Sequence, residues 1–406
     1  MFLLITKRKK TYNQIECFLF LVFIKLKVNT MNFVISSSEL LNSLQTVNKV
    51  IKSKNTQPIL DNFLFQLEDG VLTITASDLE STLSTKHQLE NSNEEGSIAI
   101  DAKRLMDIIK EFPEQPITLN IDNETKNIDI ITSNGKFSVV GIDAEDFPSP
   151  QKIKSEERKA FVFESDLMLE GINKAIFAVA DDELRPVMNG IFIQISLEDI
   201  KFVATDSHKL VRYTRTDIEV ESENEFILPH KPANILRNIL PKENGNVALE
   251  VDSKNAIFST ENYTLVCRLI EGSYPNYAAV IPAENPINVV VDRLDFHNSL
   301  KRVSACSSQS SNLVRLDFAP NSTKVSAQDI DFSIAGHETI NSVLEGNEIT
   351  IGFKSLFLIE IINNLTTQEV TIELSDPARA GIIVPKDPEN EHEDTLMLLM
   401  PMMINQ

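Results

Sequence analysis

The sequence contains no tryptophan, and aromatic residues make up only 7% of its 406 residues. This scarcity argues against a protein that binds mainly by stacking bases or sugars on aromatic side chains. An excess of basic residues is also lacking, because the net charge is −21. If that charge were evenly spread, the surface would repel nucleic acid. The length nevertheless allows roughly two to four domains, and 42% apolar residues are enough to build their cores.

Cysteine and histidine are scarce as well. Cys17, Cys267 and Cys306 form no CxxC motif, and the six histidines form no HxxxH or HExxH pair. The cysteine pattern argues against a disulfide framework and for a reducing compartment, which predicts a cytoplasmic protein. The histidine pattern gives no support to a zinc site. We therefore predict no metal and no other cofactor.

The first thirty residues differ from the rest of the chain, with a net charge of +5 against −26 for the remainder. Their apolar run at 17–24 is shorter than the roughly 20 residues that a membrane span needs, so no membrane partner is predicted. Basic residues before an apolar run resemble a signal peptide, but no small-residue cleavage site follows. We predict that 1–30 is an N-terminal extension upstream of a true start at Met31. A short interfacial anchor is the alternative.

The sequence does contain an internal repeat. The segment FVISSSELLNSLQTVNKVI from Phe33 resembles FVFESDLMLEGINKAIFAV from Phe161, 128 residues later. The segment PILDNFLFQLEDG from Pro58 resembles PVMNGIFIQISLED from Pro186 at the same offset. A register held over separate segments is the signature of repeated structural units.

A third, weaker copy begins with VVVDRLDFHNSLKRVSA at Val289. One aspartate follows a predicted strand in every copy, as Asp78, Asp206 and Asp329. The three copies predict three domains of ordinary size. Their predicted bounds are 31–152, 158–282 and 285–406.

Each copy reads as an α+β domain with two helices packed against antiparallel sheet. In 36–51 the apolar residues follow helical spacing, and two strands joined by the turn residues EDG follow. A second amphipathic helix follows later in each copy, at 101–112 in the first. Acidic, proline-containing stretches at 146–160 and 281–288 are the predicted linkers.

Asp206, Ser207 and His208 are the residue types of a hydrolytic triad, which makes a hydrolase one hypothesis. Three consecutive residues cannot easily converge as a nucleophile, a base and an orienting acid, and no G-x-S-x-G motif is present. Because the aspartate recurs without the serine and histidine, we interpret it as a turn residue that hydrogen-bonds its own backbone.

The order and spacing of TQPILDN, ATDSHKL, GSYPNY and the final MPM resemble the bacterial β sliding clamps, the processivity subunits of the replicative DNA polymerase. The resemblance covers Met31 to the C-terminus. It implies the DNA clamp fold, in which two three-domain chains join head to tail as a six-domain ring around duplex DNA, with no catalysis. A repeat-built ligand-binding protein of the cell surface is the other alternative.

The resemblance also implies partners. These are double-stranded DNA bound without sequence preference, the clamp loader, and the polymerase alpha subunit, other polymerases, mismatch-repair proteins and ligase through linear peptides. The peptides would enter a hydrophobic groove between the second and third domains. Its implied residues are Arg185, Thr205, His208, Leu210, Pro275, Val280, Leu356, Leu398, Met400, Pro401 and Met402.

The resemblance further implies that the helices face DNA. The six predicted helix segments sum to +3, so the acid must lie elsewhere, mostly on the outer wall. Cations there would contact phosphates without reading bases. The implied DNA-facing residues are Lys49, Lys52, Lys54, Lys103, Arg104, Lys110, Lys174, Lys231, Arg237, Lys301 and Arg302.

Overall fold

The computed structural model describes residues 30–154, 156–388 and 390–404. Apart from Thr30, the predicted extension 1–30 lies outside the described residues. The described chain forms two compact units. The first consists of 30–150 with 261–265, and the second of the remaining described residues.

The first repeat has two helices that pack against each other, α1 (Ser37–Val47) and α2 (Ala102–Ile109). Ser36 and Asp101 precede them, and each side chain accepts a hydrogen bond from a backbone N–H of the first turn. Antiparallel sheets run in the orders β5-β1-β7-β8-β9 and β4-β3-β2-β6. The strands are β1 (Thr30–Ser36), β2 (Asn62–Glu68), β3 (Val71–Ser77), β4 (Ser81–Gln88), β5 (Ser92–Asn93), β6 (Gly96–Asp101), β7 (Pro116–Asp122), β8 (Asn127–Ile131) and β9 (Lys136–Val140).

The second repeat follows the same plan, with helices α3 (Ser165–Ile176) and α4 (His230–Ile239) in contact. A short 3-10 helix, Tyr277–Val280, leads to the third repeat. The strands are β10 (Lys159–Glu164), β11 (Gly190–Ile195), β12 (Ile200–Thr205), β13 (Lys209–Arg215), β14 (Asn224–Pro229), β15 (Asn246–Val251), β16 (Asn255–Ser259) and β17 (Tyr263–Arg268).

The third repeat contains helices α5 (Arg293–Ser304) and α6 (Ser355–Asn363), again in contact. The strands are β18 (Ile287–Asp292), β19 (Leu313–Ala319), β20 (Ser322–Asp329), β21 (Ile334–Glu345), β22 (Ile349–Lys354), β23 (Glu369–Leu374), β24 (Gly381–Pro385) and β25 (Glu393–Leu399). Strand β13 pairs antiparallel with β25 over its whole length. The second and third repeats therefore share one sheet, in the order β14-β11-β12-β13-β25-β24-β23-β18-β21-β20-β19-β22.

The aspartate turns confirm that the repeats are structurally equivalent. In each one, a single carboxylate oxygen accepts hydrogen bonds from two backbone N–H groups two and three residues ahead, at 2.7–3.0 Å for Asp78, 2.9 Å for Asp206 and 3.1–3.3 Å for Asp329. The interpretation of these residues as turn formers is correct. The predicted fold class, three repeated α+β domains, is confirmed as well.

Candidate partner-peptide site

The turn between β12 and β13 is stabilised by hydrogen bonds from its own side chains. The Thr205 hydroxyl donates to the Lys209 carbonyl oxygen at 2.7 Å and accepts from the Ser207 N–H at 3.1 Å. Ser207 adopts a φ of 76°, a left-handed conformation that is uncommon outside glycine. The resemblance implies that Thr205 belongs to the groove, but its side chain is buried and its hydroxyl makes both of these hydrogen bonds inside the turn.

The same turn contradicts a hydrolytic triad. The Asp206 carboxylate accepts backbone N–H groups, the Ser207 hydroxyl is hydrogen-bonded by the Arg185 guanidinium, and the His208 ring stacks on Phe357. A triad needs hydrogen bonds from serine to histidine and from histidine to acid. Neither bond is present among these three residues.

The C-terminal segment is tied to both domains at the β13–β25 seam. The Met400 N–H donates to the His208 carbonyl oxygen at 2.9 Å, and the Met402 N–H donates to the Gly352 carbonyl oxygen at 2.8 Å. A Cβ at residue 352 would lie only 2.9 Å from the Met402 carbonyl oxygen. Glycine is required there because the segment lies directly against β22. His208 and Met400, both predicted for the groove, are thus neighbours.

Residues near the start of α6 that were not predicted for the groove lie beside the turn between β12 and β13. The Phe357 ring lies 5.8 Å from the His208 ring, centroid to centroid, and the Lys209 ammonium lies 4.5 Å from the Phe357 centroid. The buried Lys209 also bonds Glu360 at 2.6 Å and lies 3.5 Å from Asp206. Helical periodicity could have identified Phe357, since Phe357 and Glu360 are three residues apart and share a helix face.

The predicted apolar residues divide by exposure. Leu356 and Met400 are 49% and 44% exposed, so they are available to a ligand, as is Val280. Leu210 and Leu398 face each other across the seam but are only 2% exposed, beneath Tyr277 and Ile281. These two side chains are therefore not directly available to a ligand. Pro401 lies half-buried between Met400 and the half-buried Met402.

Arg185 and Pro275 are two of the predicted groove residues on the second domain, and neither is part of the β12–β13 turn. The Arg185 guanidinium bonds Asp182 at 2.8 Å, and this contact lowers the pKa of Asp182 below its ordinary value, aided by the Leu184 N–H. Asp182 therefore stays ionised at neutral pH and offsets the arginine charge. Pro275 borders a cavity of about 910 Å³ within the second domain, alongside Tyr274.

The predicted DNA-facing cations differ in their exposure and in whether a carboxylate lies close enough to form an ion pair. A carboxylate lies within ion-pairing distance of Lys52, Lys110, Lys174 and Arg302. Lys174 differs most from the prediction, because its side chain is only 11% exposed and faces Glu393, so we do not propose it as a phosphate ligand. Arg237 donates to asparagine side chains on α3 and α4. Lys54, Lys103, Arg104 and Lys301 are exposed and form no ion pair with any described residue.

Asp206→Ala is expected to lower the free energy of unfolding by about 1–3 kcal/mol, because two N–H groups lose a charged acceptor. Urea denaturation followed by circular dichroism measures the change. Asp217→Ala is the control, since its partly exposed carboxylate pairs with the Arg215 side chain and supports no such turn. Equal losses in both variants would contradict a special role for the turn.

Three domain families match the chain in sequence order: the N-terminal domain of the DNA polymerase III beta subunit at 31–151, its central domain at 163–276 and its C-terminal domain at 278–403. The chain belongs to the DNA polymerase III beta subunit family. The sliding clamp of Pseudomonas putida is 27% identical over 92% of this chain and 100% of the relative. That of Bacillus subtilis is 25% identical over 91% and 99%.

Solved structures of the beta subunit family have the same fold as this chain. A sliding clamp from Pseudomonas aeruginosa superposes with a TM-score of 0.87 at 26% identity, covering 92% of this chain and 100% of that one. The beta subunit of Thermotoga maritima gives 0.84 at 25% identity with the same coverage. The chain is thus a non-catalytic sliding clamp of DNA replication, associated with DNA and DNA polymerase III. The hydrolase and surface-protein alternatives find no support. In the described part of this beta-subunit chain, no helix has the length and apolarity to span a membrane.

Proposed function

We propose that two copies of this chain close head to tail into a ring that encircles duplex DNA in the cytoplasm. The ring would bind replication proteins at the groove beside His208 and Met400. The observation that carries the proposal is the threefold repeat of one α+β domain. Two such chains supply six similar units, and a head-to-tail interface closes into a ring when its rotation allows.

One surface for self-association lies on the first unit. Strand β9 stands at the end of its sheet, so one side of its backbone is open to pairing. Phe137 and Val140 on this strand are 42% and 70% exposed. An open edge with exposed apolar side chains is a surface suited to another chain.

A second surface lies on the third repeat. The turn after Asp329 carries two exposed apolar side chains, Ile330 at 80% and Phe332 at 76% exposure, and the exposed Ile334 follows it. We propose that this turn contacts strand β9 of the other copy. Two different surfaces of one chain would then meet, as a head-to-tail dimer requires.

The exposed cations of the helices would contact the DNA backbone. Lys103 and Arg104 lie in the first turn of α2, and Lys301 lies in the last turn of α5. Since phosphate contacts carry no sequence information, such contacts allow the ring to slide. The acidic surface elsewhere would repel DNA and favour the central hole.

The groove would receive linear peptides from partners. Methionine adapts its shape, so Met400 and Met402 suit a site that binds several sequences. We propose the polymerase alpha subunit, the clamp loader, other polymerases, mismatch-repair proteins and ligase as its partners. The acidic surface of the chain favours peptides with basic flanks.

The ring proposal is tested with the loaded protein. We expect the clamp to remain on circular DNA after loading and to leave once the circle is cut, because only topology holds it. Gel filtration of the DNA complex before and after linearisation measures this. Retention on linear DNA, or no retention on circles, would contradict the ring.

A further inference from the structure

Lys354 is placed at the start of a helix, where the backbone disfavours a positive charge. It is the residue before the first turn of α6, and its side chain makes no capping hydrogen bond. A helix N-terminus carries partial positive charge, so a cation there is unfavourable. In the first repeat the corresponding position before α2 is Asp101, whose carboxylate accepts the Arg104 N–H at 2.8 Å. The third repeat thus has a lysine where the first has a stabilising acid.

The Lys354 charge is also not neutralised, although the chain has 59 acidic residues. Across the described parts of the chain, no carboxylate lies within ion-pairing distance of its ammonium. Its contact is the face of Phe357, with the nitrogen 4.5 Å from the ring centroid. Lys209 lies at the same distance from that ring, yet Glu360 and Asp206 balance its charge. Only one of the two lysines at this ring is therefore available to an anion.

The position of Lys354 is within the groove. Phe357 stacks on His208, whose carbonyl oxygen binds the Met400 N–H. Gly352, two residues before Lys354, binds the Met402 N–H. Lys354 is half-buried, and apolar side chains are exposed at Leu356, two residues further on, and at Met400, which is bonded to His208. A ligand that fits this surface has aliphatic groups with a carboxylate next to them.

We propose that Lys354 binds a carboxylate of the partner peptide and so selects an acidic residue, or the free C-terminus, at one position of the bound segment. The inference rests on the proposed peptide groove and names the chemistry that it prefers. Basic flanks would meet the acidic outer surface, while the acid would meet Lys354. Such a peptide is matched in charge at both places, which gives specificity rather than bulk affinity.

The test uses a peptide array made from the C-terminal segment of the polymerase alpha subunit of the same cell. Each position in turn carries Asp, Asn or Ala, and one set is amidated at its C-terminus. Fluorescence anisotropy with the full-length dimer gives each affinity. We expect one position, or the free C-terminus, to favour the carboxylate over its amide by about threefold to tenfold at low salt, and to lose the preference near 1 M salt.

Lys354→Met should remove this preference, so that the acid and amide peptides bind with equal affinity, whereas Lys354→Arg should keep the preference. Lys386→Met is the matched control, because it removes one lysine charge from the same domain at a residue paired with Glu369. Equal binding of acid and amide by the native protein would overturn the role of Lys354 while leaving the groove intact. Equal loss of both peptides in Lys354→Met would assign it a packing role and also overturn the proposal. Failure of every peptide to bind would refute the groove itself.

Discussion

Ile330→Asp combined with Phe332→Asp is expected to convert the proposed head-to-tail dimer into monomers and to abolish retention on circular DNA. Each large apolar side chain buried at an interface contributes about 2 kcal/mol, and placing a carboxylate there adds a desolvation cost. Together these losses raise the dissociation constant of the dimer roughly thousandfold or more. Analytical ultracentrifugation measures the mass, which should fall from twice 45.6 kDa to 45.6 kDa.

The double variant should still fold, because both residues are exposed in the single chain. Leu197→Asp is its control, an equally polar change at an exposed leucine in the turn between β11 and β12. A sharper control is rescue: adding Val140→Lys on strand β9 should restore part of the dimer if the two surfaces meet. A double variant that remains dimeric would rule out the turn as the interface.

Met400→Ala combined with Leu356→Ala is expected to weaken binding of polymerase-derived peptides by about tenfold to hundredfold while the dimer stays intact. Central apolar residues of an interface typically contribute one to a few kcal/mol each, and these two are exposed enough for a peptide to reach them. Anisotropy titration with a labelled peptide gives the affinity. Retention of this variant on circular DNA, measured without any partner peptide, should equal that of the native protein.

The choice of residues in this second experiment depends on burial. Leu210→Ala would be a poor test, because Leu210 is nearly inaccessible and truncating a buried leucine costs about 2–5 kcal/mol of stability. Leu197→Ala provides the control for truncation of an exposed leucine. If the Met400 and Leu356 variant keeps native affinity, the peptide site lies elsewhere.

The repeated units could be predicted from the sequence, because the turn residues and apolar patterns that define them act over only a few residues. The aspartate of each turn reaches only backbone groups two and three residues ahead, so its role could be read from VATDSHKL once the repeat was seen. The apolar stripe of α1 likewise predicts which face is buried, since Leu40, Leu44 and Val47 are all inaccessible. The family resemblance then supplied the prediction of a peptide groove, which composition alone did not suggest.

The contacts among the residues predicted for the groove could not be derived from the sequence, because they join residues far apart in the chain. Leu356 and Phe357 are neighbours in sequence, and only the helix rotation and the β13–β25 pairing decide that Phe357 meets His208. The number of cations on the helices follows from the sequence. Their ion-pair partners do not, because Lys174 and Glu393 are far apart in the chain and meet only in the folded structure.

What the sequence determined by itself is the three-domain α+β architecture, since hydrophobic periodicity and turn chemistry act within a few residues. What only the tertiary structure decided is which charges are neutralised and which remain available. Lys209 and Lys354 are both lysines beside one aromatic ring, yet one meets two carboxylates and the other meets none among the described residues. The physical reason is that ion pairing depends on distances of a few ångströms between side chains that the fold brings together from distant segments.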